Sequence, residues 1–239
     1  MDRRDAPPLR SLPRAFVAGA TMDGPFELPQ SELDKLRKVL RLSSGAQVAV
    51  LPGDGRLIRC ELDGRKAAPL DEHWPATEPR LQLTLAQALP KGDKLDEIVR
   101  GCTEAGASRF VVFPSERSVA RWDAGKIEVR LGRLRVIARE AAEVSFRTRV
   151  PAVEWIDGLE PVLEGMPEAV VLSEAEGEQR LFARTSDEVM GVVVGPEGGW
   201  SPKELAVIGD RGATMGPRVL RVDHAGLAAC AILLLARGE

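Results

Sequence analysis

The chain has 239 residues, 44% apolar and 29% charged, with a net charge of −3, a balance that fits one large globular domain or two smaller ones and excludes a disordered chain. Three scattered cysteines and two histidines offer neither a disulfide framework nor a knuckle of metal ligands. No apolar run reaches the roughly 20 residues of a membrane span, and the Arg- and Pro-rich stretch Met1 to Arg14 lacks a secretory core, so a cytoplasmic protein without metal or membrane is expected.

In chain order, residues 13–74 carry short alternating segments, among them Gln47 to Leu51 and Leu57 to Leu62, separated by Pro52-Gly53-Asp54-Gly55 and Asp63-Gly64. Such spacing predicts hairpins in a small β-rich domain. One helix interrupts them, from about Ser31 as N-cap to Leu42, with Leu33, Leu36, Val39 and Leu40 on its apolar face. Asp71 to Pro79 has no sustained period and reads as a linker, which places a boundary between a domain of 1–75 and one of 76–239.

Beyond that boundary the rhythm becomes α/β. Strands are expected at Leu81–Leu89, Phe110–Phe113, Ala169–Leu172 and Gly191–Val194, and helices at Asp93–Ala105, Lys126–Val144, Pro202–Asp210 and Ala225–Ala236. The Lys126–Val144 helix has a core stripe of Ile127, Leu131, Leu134, Ile137 and Ala141. Four arginines, at 130, 133, 135 and 139, lie mostly outside it. Residues 109–150 hold ten Lys and Arg against five Asp and Glu, whereas 151–239 hold seven against fifteen. A local polyanion site and a solvated helix face explain the basic middle equally well.

Two glycine-bearing bends follow predicted strands, where an open α/β sheet places its ligand crevice. The first runs Gly195-Pro196-Glu197-Gly198-Gly199-Trp200, then Ser201 as N-cap and Pro202 at the first helical position. Its glycines allow close backbone approach to a ligand, and a plain tight turn would use them equally well. It has neither the Lys-Ser/Thr of a P-loop nor the GxGxxG of a dinucleotide fold, which makes an ATPase or an oxidoreductase improbable. The second runs Met215-Gly216-Pro217-Arg218-Val219-Leu220-Arg221-Val222-Asp223-His224-Ala225, placing Arg221 beside unpaired backbone donors at a helix start. Asp223 as a helix cap and Arg221 as a surface ion pair are the plainer alternative.

Together the bends resemble the ribosomal RNA small subunit methyltransferase E family. The resemblance extends over nearly the whole chain, through Ala88-Leu89-Pro90-Lys91-Gly92-Asp93-Lys94, Cys102 to Ala107, Pro114 to Val119, Arg139 to Arg147, Arg14 to Val17, and Val39 to Leu42. Two departures stand out: no His precedes Val39-Leu40-Arg41, and Asp223-His224 stands where the family has Glu-Thr.

The resemblance implies a PUA-like RNA-binding domain followed by a SPOUT methyltransferase domain with a C-terminal trefoil knot, acting as a homodimer. It implies S-adenosylmethionine as cofactor and N3 of a uridine in 16S ribosomal RNA, or in the small subunit, as target. A SPOUT enzyme acting elsewhere on RNA or on a ribose 2′-hydroxyl, and a non-catalytic RNA-binding module, are the alternatives.

Under this reading Leu172, Met215 and Leu220 line an adenine slot, with backbone from Gly195 through Pro196, Glu197 and Gly198 to Gly199, and from Gly216. Asp223 and Arg221 belong to the same site, Arg221 as the catalytic group that stabilises the uridine anion. Arg14, Arg37, Lys38 and Arg41 from the first domain, and Lys91, Arg117, Arg121 and Arg147 from the second, are the candidate RNA contacts.

Overall fold

The computed structural model describes residues 7–174, 179–184 and 189–238. The chain separates into two compact units, 1–78 with 142–150, and 79–141 with 151–239.

The first unit is built on a five-stranded sheet in the order β1-β3-β4-β5-β2. Its strands are β1 (Arg14–Phe16), β2 (Phe26–Glu27), β3 (Gln47–Leu51), β4 (Leu57–Asp63) and β5 (Lys66–His73). The two sequence-predicted strands lie at β3 and β4, paired antiparallel across the Pro-Gly-Asp-Gly turn. β5 takes in Asp71 to His73, because pairing of Leu57 with His73 and Ile58 with Glu72 supplies the order that a periodicity reading of those polar residues misses. Val48, Val50, Ile58, Cys60 and Leu62 form one core with Leu33 and Leu36.

The helix before β3 departs from expectation. α1 (Gln30–Asp34) starts after Pro29 rather than at a Ser31 cap, and continues as a π-helical turn, Lys35–Val39. The Leu40 N–H donates to the Lys35 carbonyl at 2.9 Å, an i→i+5 bond that inserts one residue into the turn. Leu33 and Leu36 remain in the core, while Val39 and Leu40 are carried out to 72% and 45% exposure.

Residues 142–150 close this unit from a distant part of the sequence. Glu78 organises the join: its Oε2 accepts from Arg147 Nη2 at 2.7 Å, and its Oε1 accepts from the Thr148 N–H at 2.7 Å and the Arg149 N–H at 3.1 Å. Such a partner offsets the cost of taking a guanidinium out of water.

The second unit is an all-parallel six-stranded sheet in the order β11-β9-β10-β6-β7-β8. The strands are β6 (Gln82–Ala88), β7 (Arg109–Phe113), β8 (Ala152–Trp155), β9 (Val170–Leu172), β10 (Val189–Val194) and β11 (Gly212–Ala213). The connecting helices are α2 (Lys94–Glu104), α3 (Ala124–Val144), α4 (Leu159–Gly165), α5 (Pro202–Ile208) and α6 (Val222–Leu233).

Strand side chains divide by period two between separate cores. Leu83, Leu85, Phe110, Val112, Val192 and Val194 face one, with Leu134 of α3 and Ala229 of α6. Ala86, Ala88, Val111, Phe113 and Val193 face the other, with Val162 of α4 and Ile208 after it in α5. Burial on both faces is why these strands read as continuous apolar runs rather than alternating ones.

The arginine face of α3 is ion-paired within this unit: Arg130 to Asp93 at 3.1 Å, Arg135 to Glu128 at 2.7 Å, and Arg133 to Asp96. The solvated-face reading of that segment is therefore the one the structure supports. No described helix is long and apolar enough to cross a membrane.

Candidate active site: one cavity between two glycine bends

β9, β10 and β11 are adjacent and parallel, so their carboxyl ends bring Leu172, Val194 and Ala213 to one edge of the sheet. The chain leaves each in a bend. The bends after β10 and β11 line a single cavity of about 1040 Å³. Leu172, the stretch Gly195 to Gly199, Met215, Gly216, Leu220 and Arg221 all contribute to its wall. Asp223 is the exception among the expected cofactor residues: it sits in the first turn of α6, and its side chain is not part of the wall.

The first bend is shaped by Trp200. Its indole N–H donates to the Leu172 carbonyl at 2.9 Å, tying the end of β10 to the end of β9, and its ring stacks on Phe113 with centroids 6.5 Å apart. A Cβ on Gly195 would lie 3.0 Å from the Trp200 ring and would press that ring back from the bend. Gly199 has φ +65°, a left-handed conformation that closes the turn, with its N–H donating to the Pro196 carbonyl at 3.0 Å. A Cβ on Gly199 would meet nothing within 4 Å, which leaves the backbone bare toward the cavity.

The bend is braced from two other loops. Glu197 accepts the Lys94 ammonium at 2.5 Å and the Lys91 N–H at 3.2 Å. Partial burial alone would raise the Glu197 carboxyl, but Lys94 and the backbone N–H groups of Glu197 and Lys91 outweigh it and hold it below the usual carboxylate value. Arg117 Nη1 donates to the Gly198 carbonyl at 3.0 Å.

Glu204 in turn fixes the segment that carries Arg117. It completes a capping box with Ser201 and also accepts the Ser115 hydroxyl at 2.7 Å and the Glu116 N–H at 3.0 Å. Ser201-x-x-Glu204 was the sequence signal for this cap. Nothing in the sequence marked its reach to residues 115 and 116.

The second bend is pinned by Thr214, whose hydroxyl accepts the Gly216 N–H at 3.1 Å and donates to the Gly216 carbonyl at 3.0 Å. α6 then starts after Arg221, which has no side-chain cap bond, so Asp223 is not the cap. The Arg221 side chain is 72% exposed, with Nε 3.3 Å from Asp223 Oδ1. His224 is exposed too, its Nε2 3.8 Å from Asp223 Oδ2.

Of the eight expected RNA-contacting cations, Arg117 lines the cavity, and Lys91 touches the first bend through its own N–H. Lys38 and Arg41 are exposed on the first unit. The other four are engaged with groups of the protein itself, and of these only Arg147 is buried. Arg147 is 3% exposed and clasped by Glu78, so no phosphate can reach it. Arg37 donates to the carbonyls of Leu42 and Gly64, at 2.9 and 2.8 Å. Arg14 lies over the Phe146 ring, 3.8 Å from its centroid, and Arg121 donates to the Ser118 carbonyl at 2.6 Å. Residue type alone cannot separate a phosphate-binding arginine from one satisfied by carbonyls. Conversely Lys94, Arg180 and Arg218 line the cavity and were not singled out from sequence.

A family model for an RNA methyltransferase domain matches residues 77–234. The ribosomal RNA small subunit methyltransferase E of Mycobacterium tuberculosis (strain CDC 1551 / Oshkosh) is 34% identical over 206 residues, which cover 80% of this chain and 79% of that protein. The protein of the same name from Bacillus subtilis (strain 168) is 32% identical over 221 residues, covering 84% and 86%. Among solved structures, a ribosomal RNA small subunit methyltransferase E from Neisseria gonorrhoeae bound to S-adenosyl methionine is similar with a TM-score of 0.83 at 27% identity, covering 92% of this chain and 95% of that one. With a domain match over more than half its length and relatives this similar across most of it, the chain belongs to the ribosomal RNA small subunit methyltransferase E family.

Proposed function

We propose that this chain transfers a methyl group from S-adenosylmethionine to N3 of a uridine in 16S ribosomal RNA. The observation that carries this reading is the convergence of both glycine bends on one cavity large enough for an adenosyl ligand and a nucleobase. The residues fit that cofactor. Leu172, Met215 and Leu220 offer apolar surface for a flat base, and Gly199, with nothing within 4 Å of where a Cβ would sit, leaves room for close approach to the backbone.

When bound, S-adenosylmethionine supplies an electrophilic methyl group on a sulfonium. The protein's part is to orient the nucleophile and to favour its reactive form. Uridine N3 becomes nucleophilic when its proton passes to water, as charge spreads onto the flanking carbonyl oxygens. The Arg221 guanidinium, 72% exposed at the start of α6 and 3.3 Å from Asp223, is our candidate to donate to such an oxygen. Arg180 and Arg218 on the wall would offer positive charge to the RNA backbone, while Lys94 and Arg117 are held by Glu197 and the Gly198 carbonyl.

The finer parts of the reading have separate support. A SPOUT knot is favoured by β10 running between β9 and β6, with β11 beyond β9. A PUA-like role for the first unit is favoured by its hairpin-built sheet. A homodimer is favoured by Leu227 and Val219, 41% and 69% exposed on α6 and just before it.

Mass mapping of 16S ribosomal RNA from cells with and without the gene tests the whole. One uridine gaining 14 Da, on the order of a single methyl group, only when the protein is present is the expected result. Arg221→Ala should abolish that signal while calorimetry with S-adenosylmethionine still reports binding. Identical maps from both strains would reject the activity, and full methylation by the variant would remove Arg221 from the mechanism.

A further inference from the structure

The π turn of the first unit does something an uninterrupted helix would not: it lifts Val39 and Leu40 out of the core and sets them between Lys38 and Arg41. The resulting knuckle is stiff. Arg37 braces it from behind through the carbonyls of Leu42 and Gly64 and the Ser44 hydroxyl. Arg41 has φ +55°, a left-handed conformation that a side chain with a Cβ rarely adopts. Inserted turns and strained non-glycine residues concentrate at functional positions.

The acidic groups around the knuckle are already engaged. Glu32 and Glu143 meet Lys35 at 2.6 and 2.8 Å, and Asp34 meets Lys38 at 3.1 Å.

We propose that this knuckle grips a single-stranded segment of the substrate RNA, with Val39 and Leu40 against base faces and Lys38 and Arg41 toward the flanking phosphates. The inference rests on the RNA-methyltransferase reading and names where the first unit makes contact. Two apolar side chains bracketed by cations match a ligand with flat uncharged faces and an anionic backbone. A paired helix hides those faces, so the segment is unpaired. A second copy of the chain fits less well, because a stable protein interface needs some 800 Å² per partner and the apolar part here is two side chains.

The test uses the full chain and a 16S ribosomal RNA fragment carrying the methylated uridine. In the Val39→Ser/Leu40→Ser double variant, RNA affinity falls by roughly tenfold, the scale of losing the apolar cover of two aliphatic side chains, and the salt slope of binding stays as in wild type. In Lys38→Ala/Arg41→Ala the slope flattens by about one to two units. Melting temperature and S-adenosylmethionine affinity stay unchanged in both.

Unaltered RNA affinity in the serine variant overturns the proposal, as does a change in its sedimentation mass, which would make the knuckle a contact between copies. Failure of the wild-type protein to label the RNA removes the activity reading itself, and the two failures are told apart by that control.

Discussion

Replacing Glu204 by alanine tests whether the cavity is held from behind as the geometry requires. One carboxylate accepts the Ser201 N–H at 2.9 Å, the Ser115 hydroxyl at 2.7 Å and the Glu116 N–H at 3.0 Å, and the residue is 6% exposed. Loss of the reciprocal cap costs about 1 kcal/mol. Leaving the Ser115 and Glu116 donors without their charged acceptor costs about 1–2 kcal/mol each. The sum, about 3–5 kcal/mol, corresponds to a melting point lower by roughly 8–16 °C in a domain of this size.

The damage should also reach the ligand, because residues 115 and 116 carry Arg117, and Arg117 holds the Gly198 carbonyl. Differential scanning calorimetry gives the first quantity and titration with S-adenosylmethionine the second. Glu204→Gln separates shape from charge: its amide would set a donor against one of the three N–H or O–H groups, so only partial recovery is expected. An alanine variant that melts within a degree or two of wild type and binds cofactor normally would refute the bracing argument.

Two further outcomes follow from the same wall. Gly195→Ala sets a methyl group 3.0 Å from the Trp200 ring, and moving that ring breaks its bond to the Leu172 carbonyl. A loss of about 2–3 kcal/mol and weakened cofactor binding are expected by thermal melting and titration, and a neutral variant would mean that the ring yields freely. For Glu197, the folded carboxyl lies below its unfolded value, so the stabilisation is complete above the unfolded pKa, about 4.3, and is lost as pH falls through the folded one. Chemical denaturation of Glu197→Gln against wild type should show a gap near pH 7 that closes below about pH 4; a gap independent of pH would assign the effect to packing.

Much of the second unit was legible because its physics is local. β7 appears within one residue of the expected segment, Phe110 to Phe113, since a buried parallel strand must be a short apolar run. Ser201 and Pro202 mark the start of α5 for equally local reasons. The first bend was also readable, as a glycine cluster after such a run.

What escaped depended on partners far away in sequence. β8 and β11 are defined by pairing with β7 and β9, and their own residues carry little pattern. Val39 and Leu40 obeyed the helical period and still left the core, because one i→i+5 bond shifts every residue after it. Arg37 and Arg147 looked like phosphate ligands until the carbonyls and the Glu78 carboxylate around them were visible. A basic side chain's role is decided by its acceptors, and those lie up to 108 residues away, as from Lys35 to Glu143.

The placement of β10 has a kinetic corollary. Both neighbours, β6 and β9, precede it in the chain, so this Val-rich strand must slot between two strands already made, satisfying both of its edges at once. Until it does, the facing edges of β6 and β9 keep their N–H and C=O groups unpaired, and the pairs that seal them are remote in sequence. Folding of this unit should therefore have a slow last step with a window for aggregation, and the catalytic cavity comes into being only when that step is complete.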